Sequence, residues 1–187
     1  NKFYMILFFY FSLIFIFLAI LIYFIYFIHI VAMSICGLPS DQQMRQSLIK
    51  IVTHYIGQRR HFIDLGCGQG HVCLAIKKEF SQLTVIGLEK SFWQLLFARF
   101  KTKLLKQKIR FIKTNFLKYD LSKTEIIYMY LRPPILKKLE QKLIDELPSG
   151  AILISNTFCL PYRQPQEIIT TQQVKFNKQV KFFIYLF

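Results

Sequence analysis

The chain has 187 residues, of which 53% are hydrophobic and 17% aromatic, and it carries a formal net charge of +15. That length allows one domain plus an appendage, and the crowding of apolar residues into the first 35 positions requires a membrane reading before any fold reading. The four cysteines (Cys36, Cys67, Cys73, Cys159) have no CxxC spacing and no histidine at metal-ligand intervals, so they read as free thiols in a reducing compartment and not as a zinc site.

From Phe3 to Ile28 there is no charged residue, and Ser12 is the only polar one that is not aromatic. As a helix those residues span about 39 Å at ~1.5 Å per residue, enough for a ~30 Å bilayer core. A secretory signal has a shorter apolar region and a small-residue cleavage site. Here the run is too long and Ala32-Met33-Ser34 is a poor site, so the helix reads as a retained transmembrane anchor. All but one of the 25 Lys and Arg residues follow it. Basic flanks stay inside, which places the C-terminal part on the cytoplasmic or matrix side of a single-pass protein. Tyr23, Tyr26 and His29 suit an interfacial belt at that end. The chain starts at Asn1, which points to a short N-terminal piece ahead of it.

Gly37-Leu38-Pro39-Ser40 breaks the apolar run and divides an anchor, residues 1–36, from a second domain, residues 37–187. Ser40 followed by Gln43 resembles a capping box for a helix from Asp41 to Ile56, with Gly57 at its C-terminal cap. Strand and helix patterns then alternate. Strands are expected at 61–65, 83–88, 109–113, 125–130 and 151–157, and helices at 72–80, 92–106 (capped by Ser91) and 133–147 (opened by Pro133). Such alternation implies a parallel sheet covered by helices on both faces. Two β-like runs, 168–176 and 179–187, flank Asn177-Lys178 and read as a closing antiparallel hairpin. The fold class is therefore α/β, Rossmann-like and mostly parallel, behind one transmembrane helix.

Phe62-Ile63-Asp64-Leu65-Gly66-Cys67-Gly68-Gln69-Gly70 carries the most chemistry. Its glycines follow a strand and open a helix, so the backbone can turn tightly and a ligand can approach without meeting a Cβ. A dinucleotide fingerprint needs G-x-G-x-x-G, but the spacing here is G-x-G-x-G with His71 next. Asp64, just before the loop, suits a cationic ammonium. Glu89 ends the next strand, 19 residues after Gly70, where a carboxylate can accept hydrogen bonds from ribose hydroxyls; Lys90 follows it.

These residues resemble the first two motifs of class I S-adenosylmethionine-dependent methyltransferases. The resemblance implies S-adenosyl-L-methionine as cofactor and a cofactor-binding set of Ser40, Asp64, Gly66, Cys67, Gly68, Gly70, Glu89, Lys90, Asn115 and Phe116. Many members of the family have an acidic residue at the third strand that contacts the adenine amino group. This chain has Asn115, whose amide oxygen can accept the same bond and which is equally a turn former; Phe116 would pack on the adenine. Gln69 also departs from the family, many of whose members are acidic inside the loop.

The fourth strand ends at Tyr128-Met129-Tyr130-Leu131-Arg132-Pro133-Pro134. Tyr130 is the candidate catalytic or substrate-site residue, with a packing role as the alternative. The Asp/Asn-Pro-Pro-Tyr/Phe motif of adenine-N6 and glutamine methyltransferases is absent, which argues against those substrates. Ser155-Asn156-Thr157-Phe158 would wall the same pocket.

The apolar helix, the Pro39-Ser40 entry, the glycine motif and the early end after the fifth strand together resemble the single-pass lysine N-methyltransferases of the ATP synthase c subunit and the ADP/ATP translocase, with their bacterial relatives. The resemblance implies that Pro39 and Ser40 lie near the methionine end of the cofactor and that a membrane-protein lysine is the target. Two alternatives stand beside it: methylation of a lipophilic small molecule such as a quinone or lipid precursor, and a non-catalytic membrane scaffold. Arg99, Lys101, Lys103, Lys106, Lys108, Arg110 and Lys113 form a basic run that reads first as a solvated face, next as a lipid-headgroup contact, and last as a nucleic-acid surface, because no aromatic stacking platform accompanies it.

Overall fold

The computed structural model describes residues 2–35, 42–173 and 178–187. The expected boundary at Gly37–Ser40, the Ser40 cap and the Asn177 turn lie outside those residues. The chain divides into two compact units, residues 1–38 and 39–187.

The first unit is one helix, α1 (Lys2–Ile35). Its Lys2–Ile28 stretch is long and apolar enough to cross a membrane, and none of its most apolar window is buried within the protein. The lone hydroxyl, Ser12, donates to the Phe8 carbonyl one turn back at 2.9 Å, which satisfies it within the helix.

The second unit runs α2 (Gln42–Tyr55), β1 (His61–Leu65), α3 (His71–Glu79), β2 (Thr84–Glu89), α4 (Phe92–Leu104), β3 (Arg110–Lys113), β4 (Ile126–Met129), α5 (Pro133–Glu146), β5 (Ile152–Asn156), β6 (Glu167–Gln173) and β7 (Lys178–Leu186). The seven strands form one sheet in the order β3-β2-β1-β4-β5-β7-β6. The first five are mutually parallel, and β7 runs antiparallel to both β5 and β6. Helix and strand bounds differ from the sequence expectation by a residue or two at most ends, as fraying termini do. One element was not expected: a 3-10 turn over Phe116–Lys118.

Strand alternation sorts the core into two layers. Phe62, Val85, Ile126 and Ile154 meet α2, α3 and α4 through Leu48, Val72, Ile76 and Leu95. Their neighbours Ile63, Ile86, Ile127 and Leu153 meet α5 through Leu136, Leu139 and Leu143 on the opposite face. Both faces are covered, which is why β4 and β5 are buried along their whole length and β1 along all but its first residue. The same alternation turns Asp64 toward α3, into the first layer.

A buried carboxylate holds the long connection between β5 and β6. Glu140 on α5 is 1% exposed and accepts from the backbone N–H of Tyr162 (3.0 Å) and of Arg163 (2.6 Å). Arg163 in turn lies over the Phe187 ring, 4.4 Å from its centroid. The hairpin and the helix layer are thereby tied together at a point where no regular element connects them.

Candidate functional site

Where β1 and β4 lie side by side the strand order reverses, since β2 and β3 continue one way and β5 the other. Connections leave in opposite directions at such a point and open a crevice at the carboxyl ends of the strands. The loop from Gly66 to Gly70 sits there. Its three glycines all have left-handed φ, +80°, +53° and +72° at 66, 68 and 70, a region that costs other residues roughly 1–2 kcal/mol. The loop folds back on β2, with the N–H groups of Gly66 and Cys67 both donating to the Leu88 carbonyl at 2.8 and 3.0 Å.

Gly70 is the tightest point. A Cβ there would lie 2.7 Å from the Phe111 ring and 3.2 Å from Ala98 Cβ. It is also the N-cap of α3 and supplies no side-chain cap, so the first N–H groups of α3 face the loop without a side-chain acceptor. Beside the loop runs the end of β4: Leu131 Cδ2 lies 3.1 Å from where a Gly66 Cβ would be, which brings Tyr130-Leu131-Arg132 to the crevice wall. Tyr130 is half-buried and packs against the first core layer.

Glu89 closes the loop. Its Oε2 accepts from Gly68 N–H at 3.1 Å, and its Oε1 accepts from the N–H groups of Lys90 (2.8 Å) and Ser91 (2.9 Å). Parallel register makes this possible, because Leu65 stands opposite Leu88 and the two strands end level. A carboxylate offers about four acceptor positions. Three are used, so Glu89 can take one ribose hydroxyl as it stands, and a second only if one N–H gives way.

Asp64 is 3% exposed, and its Oδ2 accepts from the Cys73 thiol at 3.5 Å. Burial pushes its carboxyl up from 3.8 to about 7, the Cys73 hydrogen bond opposing and the nearby Glu89 charge adding to the rise. A carboxyl half-ionised at neutral pH beside the loop is poised to gain a cationic partner. Burial likewise holds the Cys73 thiol well above its ordinary range, so it remains a donor.

Among the expected site residues, Asp64, Gly66, Cys67, Gly68, Gly70, Glu89 and Asn115 occupy the carboxyl ends of β1, β2 and β3 and the loops that leave them. Lys90 contributes its backbone to Glu89, and its side chain is exposed. Asn115 accepts from Leu117 N–H at 3.1 Å and caps the 3-10 turn; its oxygen has a second lone pair. Phe116 packs on the second core layer. Ser40 lies outside the described residues.

Three features escaped the sequence reading. Gln94 is 4% exposed, with its Oε1 3.5 Å from a Gly68 Cβ position; a polar residue inside the buried Gln94-Leu95-Ala98-Thr102 stripe of α4 was the available signal. Lys101 donates to Gln69 Oε1 at 2.8 Å and meets His71 Nε2 at 3.2 Å. Burial first, then the charges of Lys101 and Arg45, lowers the His71 pKa. Arg99 donates to the Phe111 carbonyl at 3.0 Å. The basic run is thus not one freely solvated face, since Lys101 is partly buried and bonded to Gln69, and Arg99, though exposed, is bonded to the Phe111 carbonyl.

At the end of β5, Asn156 donates to Tyr128 Oη at 2.9 Å, and Thr157 adopts φ +70°. A β-branched residue in that region is a genuine outlier, and such strain concentrates at functional sites.

The crevice fits a sulfonium nucleoside on three observations. The loop leaves no Cβ in the approach, a carboxylate ends the adjacent strand, and a second, buried carboxyl is bonded among the described residues to the Cys73 thiol. Residues 64–167 match the family described as ANTKMT methyltransferase domain. A protein-lysine N-methyltransferase of Saccharolobus islandicus (strain REY15A) is 23% identical over 148 residues, 78% of this chain and 91% of that one. A carboxy-S-adenosyl-L-methionine synthase of Nautilia profundicola (strain ATCC BAA-1463 / DSM 18972 / AmH) is 27% identical over 135 residues, 70% of this chain and 53% of its own. An adenine nucleotide translocase lysine N-methyltransferase of Mus musculus is 29% identical over 115 residues, 60% of this chain and 50% of its own. The chain thus spans about half the length of these last two. In fold, it is similar to an RNA methyltransferase from Salinibacter ruber in complex with S-adenosyl-L-homocysteine, with a TM-score of 0.68 at 18% identity, covering 80% of this chain and 93% of that one.

Proposed function

Because the chain belongs to the ANTKMT methyltransferase domain family and is an S-adenosyl-L-methionine-dependent methyltransferase, we propose that it is a membrane-anchored protein-lysine N-methyltransferase whose target is a lysine of a membrane protein. One observation carries the reading: an apolar helix long enough to span a bilayer precedes, in the same chain, a domain whose relatives include lysine N-methyltransferases. The mouse relative's substrate, by its name, is the adenine nucleotide translocase. Confinement to a bilayer raises the effective concentration of enzyme near such a target.

The cofactor supplies a methyl group already activated on a sulfonium. What remains for the protein is alignment, exclusion of water and a neutral amine. In this reading Glu89 holds the ribose, the Gly66–Gly70 loop lets the chain of the cofactor pass, and Asp64 meets its ammonium. Tyr130 and the Tyr128–Asn156 pair form the wall facing the acceptor. A desolvated lysine amine loses its proton more readily than one in water, so this wall need only be close and exclude water.

Asp64 makes the cofactor step pH-dependent. A cation against it keeps it ionised, whereas the cofactor-free carboxyl is protonated below about 7. The affinity for S-adenosylhomocysteine, which retains the ammonium, is expected to be about tenfold weaker at pH 6 than at pH 8. In the cofactor-free protein the sign is opposite. The folded state holds this proton to a higher pH than the unfolded chain does, so the Asp64 contribution to stability falls as pH rises from about 4 to about 7. Calorimetric titration with S-adenosylhomocysteine from pH 6 to pH 8 checks the first statement. Asp64→Asn should flatten the profile, and an unchanged slope in that variant would remove Asp64 from the ammonium role.

Tritiated cofactor added to membranes holding the full chain tests the substrate. The proposal expects label in a protein band that yields methyl-lysine on hydrolysis. Label in a solvent-extractable molecule would replace it with a lipophilic small-molecule acceptor.

A further inference from the structure

Helix α4 carries a feature that methyl transfer does not use. Its inward stripe is Gln94, Leu95, Ala98 and Thr102. The outward face of a helix that covers a sheet ordinarily meets water and is polar. Here it presents Phe92, Trp93, Leu96, Phe97, Phe100 and Leu104, all exposed, with Trp93 at 67% and Leu104 at 72%. At 3.6 residues per turn these six span an arc of about 140°, with Lys103 among them toward the helix C-terminus. Aromatic side chains bury about 150–250 Å² each when covered, so the uncovered patch is on the order of several hundred Å², the size that marks an interaction site.

The surrounding charge says what covers it. From Lys90 to Tyr119 the chain has nine Lys or Arg residues and no Asp or Glu. Lys90 and Lys106 are exposed at the two ends of the patch and Lys103 within its last turn, and the Lys113 ammonium lies 5.6 Å over the Phe92 ring at its rim. Arg99 and Lys101 are bonded to the Phe111 carbonyl and to Gln69, and the remainder are exposed. Trp, Phe and Leu on one side with Lys flanking them is the composition of a helix that lies in a membrane interface, apolar side down among the acyl chains and cations among anionic headgroups. The patch is the convex side of one helix, a shape suited to a deformable surface.

We propose that the outer face of α4 is a second membrane contact, seated on anionic phospholipid. This goes beyond the anchoring by α1. It sets the orientation of the catalytic unit, because Ser91, the cap of α4, is held by Glu89 at the rim of the crevice. The crevice would then open close to the headgroups, within reach of a lysine that emerges just outside the bilayer.

Trp93 is the only tryptophan in the chain, so tryptophan emission, excited beyond the absorption of the ten tyrosines, reports on this face alone. The full chain would be reconstituted into phosphatidylcholine vesicles with and without phosphatidylglycerol, in each case with ordinary or dibrominated lipid. The expected result is a blue-shifted Trp93 emission that brominated lipid quenches at least twofold, more strongly with phosphatidylglycerol and less at high salt. Phe97→Glu with Phe100→Glu should abolish the quenching while the protein stays vesicle-bound through α1 and still binds S-adenosylhomocysteine. Unquenched Trp93 in a vesicle-integrated protein would overturn the proposal. So would a blue shift that brominated lipid does not touch and that grows with protein density, which would assign the face to a second copy of the chain. Neither outcome bears on whether the enzyme methylates lysine, since that is read from the labelled product.

Discussion

Replacing Glu89 with alanine is expected to weaken binding of S-adenosylhomocysteine by a hundredfold or more, the largest loss from any single side chain in this protein. The carboxylate is the common acceptor of three N–H groups, those of Gly68, Lys90 and Ser91. Hydrogen bonds to a charged group contribute about 1.5–3 kcal/mol each, and a hundredfold change in affinity corresponds to about 2.8 kcal/mol. Loss of one such bond, together with the ribose contact assigned to Glu89, already reaches that figure. The deletion acts twice, by removing a ligand contact and by releasing Gly68 from the position that keeps the loop open. Glu89→Gln should fall between, because an amide presents one oxygen and a nitrogen that cannot accept. Calorimetric titration measures both. An alanine variant that binds within threefold of the unaltered protein would show that Glu89 only holds the loop, and that the ribose is met elsewhere.

Gly68→Asp is expected to abolish detectable binding while the fold survives. The φ of +53° at this position strains any side chain, at a cost of roughly 1–2 kcal/mol. Space is available, since a Cβ would lie 3.5 Å from Gln94 Oε1 with nothing closer. The damage is electrostatic and steric within the crevice itself. A new carboxylate would stand beside Glu89, whose Oε2 is already bonded to the Gly68 N–H, and would occupy the bare side of the loop. Thermal unfolding should shift by only a few degrees, at ~2–4 °C per kcal/mol for a chain of this size, while S-adenosylhomocysteine gives no heat. Gly68→Ala separates the causes, because it carries the strain without the charge and should retain most of the affinity. The same experiment at Gly70 would not discriminate. A Cβ there meets the Phe111 ring at 2.7 Å, so folding and binding would fail together. Retained binding in Gly68→Asp would move the cofactor away from this loop.

The two substitutions divide the site into parts with different origins. Gly68 and its neighbours are a local device that a nine-residue stretch specifies alone. Glu89 is remote in the chain, and only sheet register delivers it. Asp64 combines both origins. Its place before the loop is local, but its raised pKa follows from burial between the sheet and α3, a property of the packed layer.

The alternation of short apolar runs with amphipathic segments sufficed for the five parallel strands, the helices between them and the closing hairpin, because each such element needs only its own periodicity to be recognised. Ser91 as the cap of α4 and Pro133 at the start of α5 followed from local backbone chemistry. The turn at Phe116–Lys118 did not, because three residues carry no period. Asn115 admitted two readings from sequence; the structure has its amide capping that turn, and a lone pair remains for a ligand.

The sequence by itself determined the class of fold, the glycine bend and the apolar first helix, since propensity, backbone freedom and hydropathy act over a few adjacent residues. Tertiary structure alone decided the meeting of Gly68 with Glu89, the depth of Asp64, the bonding of Lys101 to Gln69 and of Arg99 to the Phe111 carbonyl, and the bare outer face of α4. Each of these depends on which segments become neighbours when the sheet closes over its helices. Distance along the chain carries no information about that until the strands are in register.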